Sequence, residues 1–425
     1  MKRFFIILFA GISLFASCSK QGNEPAPPIP VEPDIPAPSD GKFTLPAVRL
    51  TFSGVLDLEN YCSGNFVILD PYKHYSETDD LRGSMRIRGR GNSTWGMPKK
   101  PVKLKFDTKS EVLGMPAEKD WALLANYADK SLLRNSLGME ISRIMGFSWT
   151  PRHVPCEVYF NGSYEGVYDL FEHKETGKNK VNIDTEKDFY LEIEQNFDEP
   201  NYFTTSYGVP IQFKDPDEPS AERIRYVKDY FRDFENALRS ENFKDAGEGY
   251  AAYIDTDSWI DNFIIQELSK NVDGNVRKSS FLVLREGGKL EFCHQWDFDL
   301  AFGNANYFAD GNNGPTGWYV KDYDTNGNKG KGWYSRLFED PAFVEKVRAR
   351  WNELYPELLK LDKFIDKAAE ELGEGPGRNF KKWDILGTYV WPNVKVTGSY
   401  EEEVKYLKSF YLQRLAWMDR ELAKL

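Results

Sequence analysis

The sequence predicts an α+β fold whose N-terminal half is rich in strands and whose C-terminal half is rich in helices. Residues 102–106, VKLKF, alternate apolar and charged side chains, as a half-buried strand does. Asn161 and Gly162 separate two alternating segments, which is a strong signal for a β-hairpin. In the second half, apolar residues recur every three or four positions, which is the period of an amphipathic helix.

The first half is predicted to contain several strands around one helix. Residues 84–106 form two strands joined by a glycine-rich polar turn, and residues 156–172 form the hairpin. The helix covers about 130–145 and ends at Gly146, because glycine readily stops a helix. Residues 189–194, FYLEIE, predict a further strand.

The second half is predicted to contain at least four helices and one hairpin. Ser220 is the expected N-cap of the first helix, since its hydroxyl can accept a hydrogen bond from the first turn. The hairpin pairs residues 280–284 with residues 290–294 across a turn that contains two glycines. The four helices are predicted at about 220–239, 257–270, 340–360 and 400–424.

The N-terminus has the composition of an export signal. Lys2 and Arg3 precede a short apolar run, and residues 14–18, LFASC, resemble the cleavage site of a bacterial lipoprotein. We therefore expect residues 1–17 to be removed and Cys18 to carry a lipid that anchors the protein at the cell envelope. The anchored protein would face the periplasm or the cell surface. A plain secretory signal is the alternative.

A proline-rich linker is predicted to follow the anchor over residues 18–42, because such a composition favours an extended chain. The remaining residues, 43–425, form the folded domain. The net charge of −11 repels a phosphate backbone, so nucleic acid is not expected as a partner. Three further cysteines allow at most one disulfide and match no zinc pattern, and we expect them to be buried: Cys62, Cys156 and Cys293.

Two acids stand out in residues 294–303, HQWDFDLAFG. Asp297 and Asp299 lie in an apolar and aromatic run, where unpaired buried charge costs several kcal/mol. Asp273 lies in the loop before the 280–294 hairpin, whose antiparallel strands return the chain to that loop. The three carboxylates are therefore expected to meet. Such an oxygen-rich site suits Mg²⁺ or Mn²⁺ rather than zinc.

A basic, glycine-rich element precedes these acids in the chain. Its turn contains Gly89, Gly91 and Gly96, and backbone N–H groups in such a turn can approach phosphate oxygens. The basic residues around the turn are Arg86, Arg88, Arg90, Lys99, Lys100, Lys103 and Lys105. A glycine loop, a strand lysine and paired acids in this order are used in phosphoryl transfer, although the standard protein-kinase signatures are absent.

Six segments resemble the motifs of the spore coat protein H (CotH) kinase family. They are RGRGNSTW, KKPVKLKF, DWALLANYADKSLLRN, EVYFNGSYEGVYDLFE, NVDG and WDFDLAFG, in that order over residues 84–303. The resemblance implies a two-lobed, atypical protein-kinase-like fold. It also implies that the protein binds ATP and Mg²⁺ or Mn²⁺ and phosphorylates serine or threonine in a protein substrate.

The resemblance assigns roles to individual residues. Asp273 matches the catalytic aspartate, and Asp297 matches the metal-binding position. Asp299 is a further candidate metal ligand because it belongs to the same cluster of carboxylates. Lys103 is the candidate for the lysine that holds the nucleotide phosphates, with Lys100 and Lys105 as competitors. Nucleotide contacts are also expected from Arg90, Asn92, Ser93 and Glu172, the last by pairing with Lys103 or by reaching the nucleotide.

One position departs from the kinase pattern. Kinases place an asparagine five residues after the catalytic aspartate, whereas this chain has Lys278 there. Asn275 or Ser279 would have to serve instead as the second polar ligand. This departure leaves open a non-catalytic surface protein that keeps the kinase-like shape for adhesion, scaffolding or glycan binding.

A glycosidase is a third hypothesis, in which two of the three acids act as acid and base and aromatic residues stack on the sugar. It would need carboxyl groups about 5–10 Å apart and no metal.

Overall fold

The computed structural model describes residues 44–70, 72–77, 80–325 and 329–425. The predicted signal peptide, the lipidated Cys18 and the linker over 18–42 lie outside the described residues. Within the described ranges, no helix is both long and apolar enough to cross a membrane.

Seven strands of the first half close into a barrel. Neighbouring strands are antiparallel except at the closure, where the first strand runs parallel to the sixth. In spatial order the barrel reads β1-β2-β3-β4-β5-β7-β6. The strands are β1 (Ala47–Phe52), β2 (Cys62–Leu69), β3 (Asp80–Gly89), β4 (Val102–Val112), β5 (Met115–Leu124), β6 (His153–Phe160) and β7 (Ser163–Glu172).

The predicted alternation in β4 is confirmed. Val102, Leu104 and Phe106 are buried in the barrel core, whereas Lys103 and Lys105 are half-buried on the other face. The hairpin of β6 and β7 is confirmed as well. Its turn residues, Asn161 and Gly162, have φ angles of 49° and 80°, the left-handed values that a type I′ turn requires.

A second sheet of five antiparallel strands lies beyond the barrel, in the order β12-β11-β8-β10-β9. The sequence predicted β8 and the hairpin of β11 and β12, but it did not predict that they share one sheet. The strands are β8 (Phe189–Ile193), β9 (Tyr202–Thr204), β10 (Pro210–Asp215), β11 (Ser280–Leu284) and β12 (Leu290–His294).

Most of the helices lie in the second half, as predicted, and α1 lies between β5 and β6. Ser220 caps α2 by accepting a hydrogen bond from the backbone N–H of Arg223 at 3.3 Å. Four helices in the second half were not predicted, namely α4, α5, α7 and α8. The helices are α1 (Arg134–Met145), α2 (Ala221–Arg239), α3 (Thr256–Ser269), α4 (Val320–Tyr323), α5 (Trp333–Leu337), α6 (Pro341–Leu358), α7 (Leu361–Glu371), α8 (Gly375–Lys382) and α9 (Tyr400–Leu422).

The fold is therefore α+β, with a strand-rich first half and a helix-rich second half. A closed seven-stranded barrel is not specific to kinase-like proteins. Cys156 and Cys293 are buried, as expected, and Cys62 is half-buried.

Helix α1 approaches the WDFD segment at Gly138. A Cβ atom at this position would lie 2.2 Å from a ring carbon of Phe298, which is far closer than two carbons can approach. Phe298 stands between Asp297 and Asp299, so this close approach also positions the two acids.

We predict that Gly138→Ala lowers the free energy of unfolding by about 1–3 kcal/mol, because it overpacks the contact with Phe298. Urea denaturation would measure the change. Gly377→Ala is the matched control, since it also lies in a helix but has no atom within 4 Å of the added Cβ. An equal loss of stability in both variants would contradict the packing explanation.

Candidate active site

A cleft of about 480 Å³ lies between the barrel and the second sheet. One wall is the loop after β3, including Arg90, Asn92 and Ser93. Another wall is a polar face of β8 and β10. The loop after α3 and the segment after β12 complete it and contribute Asp273 and Asp297.

The three acids line this cleft together, as the hairpin geometry predicted. Asp273 follows α3, the β11–β12 hairpin returns the chain, and Asp297 and Asp299 follow β12. The hydroxyl of Ser279, just before β11, lies 3.5 Å from Oδ2 of Asp297. The antiparallel pairing of β11 and β12 is therefore what joins the two loops.

The segment that leads into α1, together with the first turn of that helix, holds the backbone of the WDFD motif. Oδ1 of Asn135 accepts the backbone N–H of Phe298 at 2.8 Å. Nδ2 of Asn304 donates to the carbonyl oxygens of Asp299 at 2.7 Å and of Ala128 at 3.1 Å. The segment LLANYADKSLLRN thus fixes where Asp297 and Asp299 stand.

A buried ion pair stabilises that segment. Arg134 lies 2.5 Å from Oδ1 of Asp129, and both side chains are fully buried. Asp129 also accepts the backbone N–H of Arg134 and the hydroxyl of Ser131, at 2.8 and 2.6 Å. Nε of Arg134 donates to the carbonyl oxygen of Ala301 at 3.1 Å, which ties the pair to the chain after Asp299.

Asp297 has a φ angle of 69°, in the left-handed region that non-glycine residues seldom adopt. Such a conformation costs about 1–3 kcal/mol and persists where the surrounding structure enforces it, often at functional sites. Here the hydrogen bond between Phe298 and Asn135 provides that constraint.

The acids carry poorly compensated charge. Burial raises the pKa of Asp299 well above its ordinary value, and the neighbouring Asp297 raises it further. Burial also raises the pKa of Asp273, although the nearby Lys278 opposes this shift. A cation bound between these carboxylates would stabilise their ionised forms.

The carboxylates fit a magnesium or manganese ion for which the protein supplies only some of the ligands. Asp297 and Asp299 offer hard carboxylate oxygens, which these ions prefer. Over the residues that the structure describes, no three His, Cys, Asp or Glu side chains gather closely enough to hold a metal alone. Mg²⁺ commonly uses one or two carboxylates and completes its shell with water and substrate phosphates.

Only one of the three candidate lysines lines the cleft. Lys103 does so, and its Nζ also lies 3.1 Å from the carboxylate of Asp120. Lys105 lies 3.9 Å from the same carboxylate and is outside the cleft lining. Lys100, which is also outside it, donates to the carbonyl oxygen of Trp95 at 2.6 Å.

Glu172 lies elsewhere. Its fully buried carboxylate accepts the backbone N–H of Arg152 at 2.9 Å and the Arg152 guanidinium at 2.6 Å. The expected pairing of Glu172 with Lys103 is therefore replaced by a pairing with Arg152, and Glu172 is not part of the cleft lining. Strand alternation alone does not reveal that Arg152 is the partner of Glu172.

The two candidate polar ligands also separate. Ser279 lines the cleft next to Asp297. Asn275 is buried outside the lining, and its Nδ2 donates to the carbonyl oxygen of Tyr323 at 2.8 Å. Lys278, which lies between these two residues in the sequence, also lines the cleft.

Sequence reasoning missed the polar face of the second sheet. Glu192 is buried, yet Lys174 and Lys214 overcome the effect of burial and lower its pKa to about 2. The Nζ of Lys214 lies 3.4 Å from this carboxylate, and Lys174 forms an ion pair with it. Glu194, two residues on, has its pKa raised to about 7 by burial. The alternation of acids in FYLEIE was the available signal.

Tyr307 was also missed. Its hydroxyl lies 3.5 Å from both carboxylate oxygens of Asp273. Its ring stacks on the ring of Trp391, with centroids 5.7 Å apart and planes 7° from parallel. Tyr307 is therefore an immediate neighbour of Asp273. The sequence did not indicate this contact because the two residues are far apart along the chain.

A family model described as CotH kinase protein matches residues 87–418 of the chain. The chain belongs to this family. The resemblance inferred from the six motifs is confirmed, and the match extends past the WDFD motif into α9. No curated protein matches the chain. The CotH match covers the walls of the cleft described above, from the end of β3 to the segment after β12.

We predict that Asp129→Ala lowers the free energy of unfolding by about 3–5 kcal/mol, because it leaves the buried Arg134 without its partner. Chemical denaturation would measure the loss. Glu140→Ala is the control, since its partner Arg143 has a side chain that is 67% exposed. Exposed pairs contribute about 0–1 kcal/mol, so a control as damaging as Asp129→Ala would refute the role of burial.

Proposed function

We propose that this CotH family member is a metal-dependent protein kinase that transfers the γ-phosphoryl group of ATP to a serine or threonine hydroxyl. One observation carries the proposal. Asp273, Asp297 and Asp299 face a glycine-rich loop with Arg90 across a single polar cleft. Phosphoryl transfer needs acids that accept a proton and bind a cation. It also needs hydrogen-bond donors on the opposite side that bind the phosphate groups.

In this proposal the barrel acts as the N-terminal lobe of a kinase-like fold. The second sheet and the helices act as the C-terminal lobe, and the nucleotide binds between them. The loop after β3 supports the assignment, because Gly91 has a φ angle of 84° and turns the chain sharply beside Arg90. Backbone N–H groups in such turns bind phosphate oxygens.

The cleft offers several contacts to the nucleotide phosphates. Arg90 extends over the ring of Trp296, at 5.7 Å from its centroid, and has Asp297 among its nearby acids. Lys103 also lines the cleft from β4, although it pairs with Asp120. Asn92 and Ser93 are exposed at its edge and can donate hydrogen bonds to phosphate.

Asp297 and Asp299 would hold Mg²⁺ or Mn²⁺. When bound, the ion would neutralise charge on the phosphate oxygens. Asp273 accepts the proton of the attacking hydroxyl. The hydroxyl oxygen forms a bond to the γ-phosphorus while the bond from phosphorus to the bridging oxygen breaks. ADP leaves with that electron pair, and the products are the phosphorylated protein and ADP.

We further propose that the kinase acts at the cell envelope, anchored through a lipid on Cys18. This rests on the N-terminal sequence, with its basic start, short apolar run and lipobox-like LFASC. The protein substrate would then be a secreted or envelope protein.

One observation favours a second candidate, a non-catalytic surface protein of the same shape. Asn275 is bonded to the Tyr323 carbonyl rather than to the cleft, and the kinase asparagine position holds Lys278. A protein that keeps the shape for adhesion or scaffolding would not need nucleotide. ATP binding therefore separates the two candidates.

We predict that ATP with Mg²⁺ or Mn²⁺ raises the melting temperature of the protein, and that Asp297→Ala abolishes the rise. The reason is that Asp297 would bind the ion that holds the phosphates. A thermal-shift titration would measure it. Asp107→Ala, an exposed acid outside the cleft, is the control and should keep the response. Absence of any response in the wild-type protein would favour the non-catalytic candidate.

We predict that Asp273→Asn lowers kcat by about 10²–10⁴-fold while nucleotide binding persists, because only proton transfer is lost. The wild-type rate should fall with decreasing pH as Asp273 becomes protonated. Burial raises the pKa of Asp273, so this decline should begin at a higher pH than for an exposed aspartate. A phosphotransfer assay across pH would test both points. Full activity in Asp273→Asn would exclude its role as the base.

A further inference from the structure

We infer that Lys278 contacts the phosphoryl group in transfer and supplies the positive charge that a second metal ion provides in other kinases. This inference rests on the proposed function. It would make the site a one-metal site in which a lysine completes the charge balance.

The position of Lys278 supports the inference. It lines the cleft with Asp273, Ser279 and Asp297. The backbone N–H of Lys278 donates to the carbonyl oxygen of Asp273 at 3.2 Å, so one turn carries both residues. The side chain leaves the backbone next to the acid that would accept the substrate proton.

The other cations of the cleft are mostly engaged. Lys103 pairs with Asp120, and both Lys174 and Lys214 pair with Glu192. Two further basic side chains donate to backbone carbonyl oxygens, Arg88 to Leu58 and Lys99 to Val167.

Lys278 and Arg90 differ from these cations. Within the described ranges, neither side chain makes a hydrogen bond or an ion pair, and both line the cleft. Arg90 stands on the wall of the glycine-rich loop, and Lys278 stands on the wall of Asp273. An anion between the walls could therefore be bound from both sides without breaking an existing pair.

The surroundings leave little for a second metal ion to bind. The two amides of this loop, Asn271 and Asn275, are buried and lie outside the cleft lining. An ammonium group at position 278 would also repel a divalent ion placed beside it. The same ammonium has three donors, which suit the charge that spreads over the phosphoryl oxygens during transfer.

The test compares nucleotide affinities of the full-length protein. Isothermal titration would give the Kd for MgATP and for MgADP in the wild type, Lys278→Ala and Lys278→Gln. Because the contact is to the γ-phosphoryl group, both variants should lose affinity for MgATP by about tenfold or more. Their affinity for MgADP should stay at the wild-type value, and kcat should fall. Mn²⁺ titration should show one ion per bound nucleotide.

Arg277→Ala is the matched control. Arg277 lies in the same loop and its charge acts on Asp273, but it is outside the cleft lining. Its removal should leave the preference for ATP over ADP unchanged. An equal loss in Arg277→Ala would show a general field effect and overturn the contact.

The possible failures are distinguishable. A wild-type protein that binds MgATP, with unchanged binding in Lys278→Ala and Lys278→Gln, overturns this inference and leaves the proposed function intact. A Mn²⁺ titration that gives two ions per bound nucleotide in the wild type also overturns this inference. A wild-type protein that binds neither nucleotide overturns the proposed function and the inference together.

Discussion

The candidate site depends on one hydrogen bond, from the backbone N–H of Phe298 to the side chain of Asn135. It joins the start of α1 to the segment that carries Asp297 and Asp299. Asn135 is itself held, because its Nδ2 donates to Oδ1 of Asn126 at 3.1 Å. The strained backbone of Asp297 can persist because this constraint and the close approach of Gly138 to Phe298 act on the same residue.

Charge balance is the second constraint on the cleft. Burial in the protein makes unpaired charge expensive, so most basic residues of the cleft pair with acids or carbonyl groups. Among the described residues of the cleft, Asp273, Asp297, Asp299 and Glu194 are poorly compensated acids, and Arg90 and Lys278 are cations without an ion pair. This arrangement favours a ligand that brings both a divalent cation and an anion, as MgATP does.

Local features of the fold were predictable because they depend on neighbouring residues. The Asn161-Gly162 turn, the Ser220 cap and the alternation of β4 each follow from conformational preferences over a few positions. The closure of the barrel was not predictable, since β1 pairs in parallel with β6 more than a hundred residues away along the chain. Such pairing depends on the packing of the complete sheet.

For the site, the sequence by itself determined which acids line one cleft. Asp273 and Asp297 flank one hairpin, and antiparallel pairing of its strands brings its ends together whatever surrounds it. Only the tertiary structure decided which cations remain available to a ligand. Lys103 fits a phosphate-binding lysine in sequence, yet Asp120 on the adjacent strand pairs with it, whereas Lys278 has no such partner in the described chain. The physical reason is that ion pairing depends on distances between side chains on different strands and loops. The spacing of residues along the chain does not give those distances.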